Sequence, residues 1–378
     1  MRRAAAIASI AALASSLAAC AGEGSNGGGE KTLTVYVSAP LSGQRVAEGR
    51  AVVRGAKLAL ADAGGRVGDL RVRAVYLDDS AGGRWSLART AANARRAAED
   101  SAAIGFLGDL DSGASRVSLP ITNQAEIAQI SAGSTAVDLT RLPPAGSGDP
   151  ERYRPSERQT FARVVPADDV QARAAAIWAR QLGARQVGVV GDGSAFGEVL
   201  SSEFKDEAAR LGLGVGEPRH ADLLYYAGGP ERFRAAMTGL PAKPVIGSDA
   251  LAGSAALARA AALTETLYVM SPFLDPSLLP GQGRRFVRSF QARYGSAPEP
   301  GAAYGYEAMA LLLDAIRRAG DDGDSRGAVI DQLLATQDRH SVLGVYSIDG
   351  NGDTTLDAVS GYRIADGLPV SPVRLQAP

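Results

Sequence analysis

From Leu33 onward, short apolar runs alternate with longer segments whose apolar residues recur at helical spacing. Leu33 to Val37 reads as a strand. Val52, Ala56, Ala59, Leu60 and Ala63 follow at the three- and four-residue intervals of a helix face. Val72 to Leu77, Ala103 to Leu107 and Ala128 to Ser131 repeat the strand pattern, separated by helical stretches at Leu87 to Ala98 and Ala114 to Asn123. A parallel connection needs a long crossover, and each crossover helix must bury its apolar stripe. This alternation therefore predicts an α/β chain of parallel sheets covered on both faces.

The rhythm breaks once. Leu142 to Ser156 carries Pro143, Pro144, Pro150 and Pro155 and reads as an exposed loop. It resumes at Phe161 to Val165, followed by a helix from Asp168 to Leu182 with Asp168 or Asp169 near its N-cap. Strands are expected at Gln186 to Val190, Leu223 to Tyr226, Val245 to Gly247 and Thr266 to Met270, with a helix from Phe196 to Leu211. Three helices lie between Gly283 and Ala335, and a hairpin of Val345 to Ile348 with Gly361 to Ile364 closes the chain. A length of 378 residues suits roughly two such units at about 150 residues each. Open parallel sheets bind ligands beyond the carboxyl ends of their strands. The loops to inspect are therefore Ser38–Gly49, Gly108–Ser115, Ser131–Ala136, Gly191–Gly197 and Gly247–Ala250.

The N-terminus carries an export signal. Arg2 and Arg3 precede an apolar stretch, Ala4 to Ala14, that is too short to span a bilayer. Leu17-Ala18-Ala19-Cys20 then looks like a bacterial lipobox, and Cys20 is the only cysteine. Residues 1–20 are thus expected to form a lipoprotein signal peptide, with Cys20 the lipidated residue. The Gly-rich residues 21–31 form a flexible tether. Two acyl chains make a stable anchor without a transmembrane helix. The expected location is extracytoplasmic, at the cell membrane. With Cys20 used, no internal disulfide is available, so stability must come from a core; 46% hydrophobic residues supply one.

Other chemistries find little support. A net charge of −1 does not favour nucleic acid as a partner. His220 and His340 are the only histidines and sit in no catalytic constellation, and neither a nucleophile elbow nor a P-loop occurs. An enzyme is not expected. Two scattered histidines and one cysteine do not make a zinc site. Asp349-Gly350-Asn351-Gly352-Asp353 hints at a calcium loop, but Thr354 and Ser360 stand where Gly and Glu belong, so a turn is the better reading.

The post-strand loops resemble those of the branched-chain amino-acid-binding proteins, the type I periplasmic-binding group that serves as ABC transporter substrate-binding lipoproteins. The matching segments are VYVSAPLSG (35–43), YLDD (76–79), IGFLGDLDSGAS (104–115), ISAGSTAVDLT (130–140), VGVVGDGSAFG (187–197), IGSDAL (246–251) and RYGSAPEPGAAYGY (293–306). The resemblance spans nearly everything after Lys31. It implies two Rossmann-like lobes joined by three crossings near Arg163, Pro272 and Leu343, with the ligand between them. Lobe 1 would then hold residues 31–163 and 272–343, and lobe 2 residues 164–271 and 344–378. It also implies an amino-acid-like ligand, an ABC permease partner and no cofactor. A ligand-sensing or interaction lipoprotein of the same fold, uncoupled from transport, is the alternative.

The resemblance assigns roles residue by residue. Ser112, with Gly113 beside it, aligns with the serine that donates to the ligand carboxylate; a helix N-cap is the simpler role for Ser112 or Ser115. Gly133 and Thr135 align with the loop that offers a backbone carbonyl and a hydroxyl to the ammonium, and otherwise form a turn. Asp249 aligns with the acid that pairs with the ammonium, or else caps a helix over 252–262. Phe196 stands where a tyrosine is usual, so stacking survives without the phenol. Glu48 stands where an aromatic wall is usual, which suggests a polar or cationic ligand side chain. Between Gly214 and Leu223 the chain is too short for the strand and helix expected there, so the second lobe is expected to be trimmed.

Overall fold

The computed structural model describes residues 31–143 and 149–377, so Cys20, the signal peptide and the tether up to Glu30 lie outside the described residues. In the first lobe the strands are β1 (Thr32–Ala39), β2 (Arg66–Val67), β3 (Leu70–Asp78), β4 (Ser80–Ala81), β5 (Arg84–Trp85), β6 (Ala103–Leu107), β7 (Ala128–Ser131) and β8 (Phe161–Arg163). Helices α1 (Val46–Asp62), α2 (Leu87–Glu99) and α3 (Ser112–Gln124) connect them. The main sheet runs β2-β3-β1-β6-β7-β8, parallel except for the short antiparallel β2. β1 is buried on both faces from Leu33 to Ala39, as a central parallel strand must be. Its register on β3 brings Ala39 beside Asp78, so the loops that follow the two strands leave the sheet at the same end.

The second lobe adds α4 (Asp168–Gln181), β9 (Gln186–Gly191), α5 (Ala195–Arg210), β10 (Gly214–Val215), β11 (Leu223–Ala227), α6 (Pro230–Met237), β12 (Pro244–Gly247), α7 (Ser254–Ala261) and β13 (Thr266–Ser271). The chain then returns to the first lobe. There α8 (Gly281–Tyr294), α9 (Gly301–Arg318) and α10 (Arg326–Leu334) place Phe286, Phe290, Leu312 and Ile330 in its core. A two-stranded ribbon follows, β14 (Arg339–His340) with β15 (Val345–Tyr346). The last strands, β16 (Ala358–Ala365) and β17 (Leu368–Gln376), complete a sheet of order β10-β9-β11-β12-β13-β16-β17. β16 and β17 run antiparallel, and the other pairs in this sheet are parallel.

Three expectations change. The closing hairpin is β16 with β17; β15 pairs with β14 instead, and only an isolated bridge, Ile348 to Thr354, marks the 349–353 turn. The third crossing comes later than Leu343. Leu343, Tyr346 and Ile348 still lie in the first lobe's core, and the chain reaches the second sheet at Ala358. The 142–156 segment is more than an exposed loop, because Tyr153 is buried against Leu119, Leu139 and Phe161 and its hydroxyl donates to Asp138 at 2.9 Å.

The shortened stretch in the second lobe takes a definite form. β10 and β11 lie on opposite sides of β9, so the chain must cross β9 between them. Among these described residues no helix makes that crossing; residues 216–222 pass directly over Gly188. A Cβ on Gly188 would sit 2.5 Å from Pro218 Cα and 2.9 Å from a Leu224 methyl, so only glycine admits the crossover.

The crossings between lobes are pinned by one buried side chain. Arg163, fully buried at the end of β8, donates to Asp353 at 2.7 Å, to the Ala136 carbonyl at 2.8 Å and to the Thr140 hydroxyl at 2.8 Å. Its amide donates to the Gly352 carbonyl at 3.0 Å. Arg141 extends the network, contacting Asp353 at 3.1 Å and Asp169 of α4 at 2.8 Å. Burial raises the Asp353 pKa, but Arg163 and Arg141 outweigh it and hold the carboxyl below its usual range. Asp349 Oδ1 accepts from the amides of Asn351 and Asp353, so both acids of the 349–353 turn are spent on structure.

Candidate functional site

The two main first-lobe loops are stitched together. Asp111 caps α3 by accepting from the Gly113 amide at 2.7 Å, so neither Ser112 nor Ser115 is the cap. Ser112 is free for another role. Its Oγ accepts from the Ala136 amide at 3.1 Å, which leaves its proton available to donate. Gly113, by contrast, has its amide taken. Gly133 donates to Ser131 Oγ at 3.1 Å, and a Cβ there would lie 2.9 Å from the Leu110 carbonyl oxygen. Beneath both loops lies Asp109. It is wholly buried; its amide donates to Ser115 Oγ at 3.2 Å, and its carbonyl accepts from Ser131 at 2.6 Å and Ser134 at 3.0 Å. Burial pushes the Asp109 carboxyl up to about 7, against the Ser118 hydroxyl that bonds it.

The second lobe presents acid to these loops. Asp249 sits in a short 3-10 turn after β12 and does not cap α7, whose N-cap is Gly253. Gln171 of α4 grips it twice: the Gln171 amide donates to Asp249 Oδ1 at 2.9 Å and accepts from the Asp249 amide at 2.9 Å. Asp168, one turn earlier on the same helix, donates its amide to the Thr135 carbonyl at 2.9 Å. That bond joins the Ser131–Ala136 loop directly to the second lobe. Thr135 is itself buried there. Burial raises the Asp249 pKa, partly offset by Gln171 and then by Arg45.

Arg45, the residue before α1, faces Asp249 from the first lobe. Its guanidinium contacts Glu48 at 2.5 Å and Asp111 at 3.2 Å. Burial pulls its pKa down, and Glu48, Asp111 and Asp249 together push it up further. Glu48 is half exposed and already paired with Arg45 at the start of its helix, so it does not stand as an unanswered charge. Phe196 stands in the first turn of α5, half-buried against the core of the second lobe. Its loop is braced by Asp192, which accepts from Ser194 and Gly229 amides, both at 2.9 Å.

The structure thus brings Ser112, Thr135 and Asp249 into one bonded chain of loops, with Gly133 in the second loop. Gly113 and Glu48 sit beside them with their polar groups engaged, and Phe196 occupies the neighbouring helix start. Sequence reasoning missed Arg45 and Asp109, took Asp168 only as a cap, and passed over Trp85. The Trp85 ring is exposed, approaches Gly113, and donates to Thr90 at 2.9 Å. Its position in a two-strand turn after the YLDD segment was the one available signal.

Facing parallel sheets, polar loops at their strand ends, and several chain crossings between lobes define a two-lobed, cleft-binding protein. The chain belongs to the periplasmic binding protein family, whose sequence profile matches residues 32–223 and 234–367. Solved structures share the fold. A leucine-binding protein from Thermotoga maritima is 23% identical, with a TM-score of 0.71 over 91% of this chain and 99% of that one. A substrate-binding protein from Desulfitobacterium hafniense in complex with Leu is 22% identical, with a TM-score of 0.71 over 91% and 100%. A solute-binding protein from R. palustris in complex with benzoate is 20% identical, with a TM-score of 0.67 over 92% and 97%. Leucine and benzoate share little beyond a carboxylate, so the fold alone does not choose the ligand. No curated protein sequence matches significantly. Among the described residues, no helix is long and apolar enough to cross a membrane.

Proposed function

We propose that this protein binds an amino acid, or a similar small amine-bearing solute, between its lobes and delivers it to the permease of an ABC importer while tethered to the membrane through Cys20. The observation that supports the reading is Asp249, held by Gln171 of α4, the same helix whose first residue, Asp168, bonds the Thr135 carbonyl. In this reading Asp249 pairs with the ligand ammonium, which also donates to the Gly133 carbonyl. The Ser112 hydroxyl donates to the ligand carboxylate, Thr135 closes the pocket, and Phe196 offers a stacking face. Arg45, Glu48 and Asp111 ring the far side with charge, which suits a polar or cationic side chain better than Leu, Ile or Val. A sensor uncoupled from transport is the second reading, favoured by the helix missing between β10 and β11. Co-purification with a permease and ATPase separates the two.

A thermal-shift panel of free amino acids on the wild type and on Asp249→Ala tests the site. Ligand at about 100 times its dissociation constant stabilises by roughly 2.7 kcal/mol, a shift of several degrees. Polar or cationic amino acids are expected to raise the midpoint. Asp249→Ala is expected to weaken binding about 30-fold or more, because losing one partner of a buried charge pair costs roughly 2–5 kcal/mol. Unchanged affinity in Asp249→Ala removes the assigned role. Shifts with Leu, Ile and Val alone restore the branched-chain reading.

A further inference from the structure

The chain has two tryptophans, in opposite settings. Trp178 is buried in the second lobe's core, edge-on to Tyr268 at 5.1 Å. Trp85 is 41% exposed and belongs to the β4–β5 hairpin, which follows β3 at the carboxyl end of the first sheet. The hairpin is fastened on two sides. Its Gly83 carbonyl accepts from the Gln44 amide at 3.1 Å, so it lies against the loop after β1. Toward the loop after β6, a Cβ on Gly113 would lie 3.8 Å from Trp85 Cη2 and 3.9 Å from Cζ3, so the ring reaches the start of α3, one residue from Ser112. The indole N–H donates to Thr90 at 2.9 Å, and Thr90 donates to the Ser86 carbonyl at 3.2 Å. That bond spends the ring's one donor and fixes its orientation. An exposed indole held in place beside a ligand loop is a stacking surface already formed.

The protein itself does not use that surface. Among the described residues no ring stacks on Trp85 and no cation lies over it, although Arg54, Lys57 and Arg152 lie over tyrosines elsewhere. The charge beside it is negative. Asp111 Oδ1 would lie 2.9 Å from the same Gly113 Cβ, so this carboxylate neighbours the ring. Asp111 and Glu48 share one cation, Arg45. Glu48 bonds it through Oε2 alone, which leaves Oε1 to accept. Arg84 and Arg89 are exposed and pair with neither acid. A group that fits this rim therefore needs a flat face and positive charge together. A guanidinium has both: it stacks on aromatic faces while its edge donates to carboxylates. An ammonium has the charge without the face, and an aliphatic group has neither.

We propose that Trp85 sets the specificity of the site by stacking on the far end of the ligand, and that this end is a guanidinium whose edge donates to the Asp111–Glu48 pair. This rests on the amine reading above, in which Ser112, Gly133 and Asp249 hold the other end of the molecule. Trp85 acts by touching the ligand, from a hairpin to which none of those residues belongs.

Fluorescence and calorimetric titrations of the full chain with L-arginine, L-lysine, L-citrulline and L-leucine test this. L-arginine is expected to bind more tightly than L-citrulline, which keeps the plane without the charge, and than L-lysine, which keeps the charge without the plane. It is also expected to change the wild-type tryptophan emission as Trp85 is covered. Trp85→Phe keeps a ring face and is expected to hold L-arginine within about twofold of the wild type while losing the emission change. Trp85→Leu is expected to weaken L-arginine about 5- to 30-fold, with smaller losses for the other probes. Trp178, the remaining tryptophan in either variant, checks by its emission that the fold is intact. Should Trp85→Leu fail to fold, Trp85→Phe and the wild-type order of the probes decide. Unchanged L-arginine affinity in Trp85→Leu, or an equal loss for every amino acid that binds, overturns the stacking role. Tighter binding of L-citrulline or L-leucine than of L-arginine overturns the guanidinium assignment. Either result leaves the amine reading standing. No binding of any probe overturns the amine reading, and the proposal falls with it.

Discussion

Arg163 shows how much one buried side chain can hold. Its guanidinium satisfies Asp353, two backbone carbonyls of the second ligand loop and Thr140, so loop, strand end and returning chain share one cation. Removing a partner from such a pair leaves a buried charge unanswered. Arg163→Met is expected to destabilise the protein by about 3–5 kcal/mol at pH 7, measured by urea denaturation. The sign with pH follows from Asp353, whose folded pKa is depressed. Its contribution is fully present above the unfolded value near 3.9 and is lost as pH falls through the folded one. The gap between wild type and variant should therefore narrow below about pH 4. A loss under about 1 kcal/mol at pH 7 contradicts the pinning role. None of this was legible beforehand. The sequence placed Arg163 at a crossing, but Asp353 lies 190 positions away, and no local pattern joins them. Ser112, Gly133, Thr135 and Asp249 could be placed in their loops because each follows a strand whose apolar pattern is plain. Their partners could not. Asp168 looks like any acid at a helix start, and the bond its amide makes to the Thr135 carbonyl appears only in the folded chain.

At the scale of elements, period and apolarity found the long strands and helices, and failed where strands are short or paired at a distance. β10 has two residues and no periodicity to read. β16 was assigned to β15 because they flank a convincing turn; the actual partner, β17, is largely exposed and so lacks a strong apolar run. The crossover from β10 to β11 is the most unusual connection. It replaces a helix by a bare strap that lies on Gly188. Gly188→Val is expected to push Pro218 off the sheet and destabilise by about 1–3 kcal/mol, the usual cost of overpacking. That corresponds to a fall in Tm of several degrees, on the order of 2–4 °C per kcal/mol. Faster hydrogen exchange confined to residues 214–224 would place the damage at the strap. An unchanged melt would show that the strap lies less tightly than described.

At the scale of the molecule, two α/β lobes are legible because the same strand–helix rhythm recurs over a length that suits two such units. The lipid anchor stands on the lipobox alone. Cys20→Ala is expected to move the protein from the membrane fraction to the soluble fraction; pelleting that survives a carbonate wash would exclude lipidation as the attachment. Lys31 meets β1 at Thr32, and the ligand loops leave that same strand at its other end, beyond Ala39. Eight residues at about 3.3 Å each set roughly 26 Å of first lobe between the two ends. A pull on the leading end of the chain would act along β1, which is bonded on both sides to β3 and β6. Both ladders would have to shear at once for the strand to slip, so a load applied along β1 meets the first lobe's strongest direction. The loops that follow β1, β6 and β7 therefore lie at the opposite end of this sheet from Lys31.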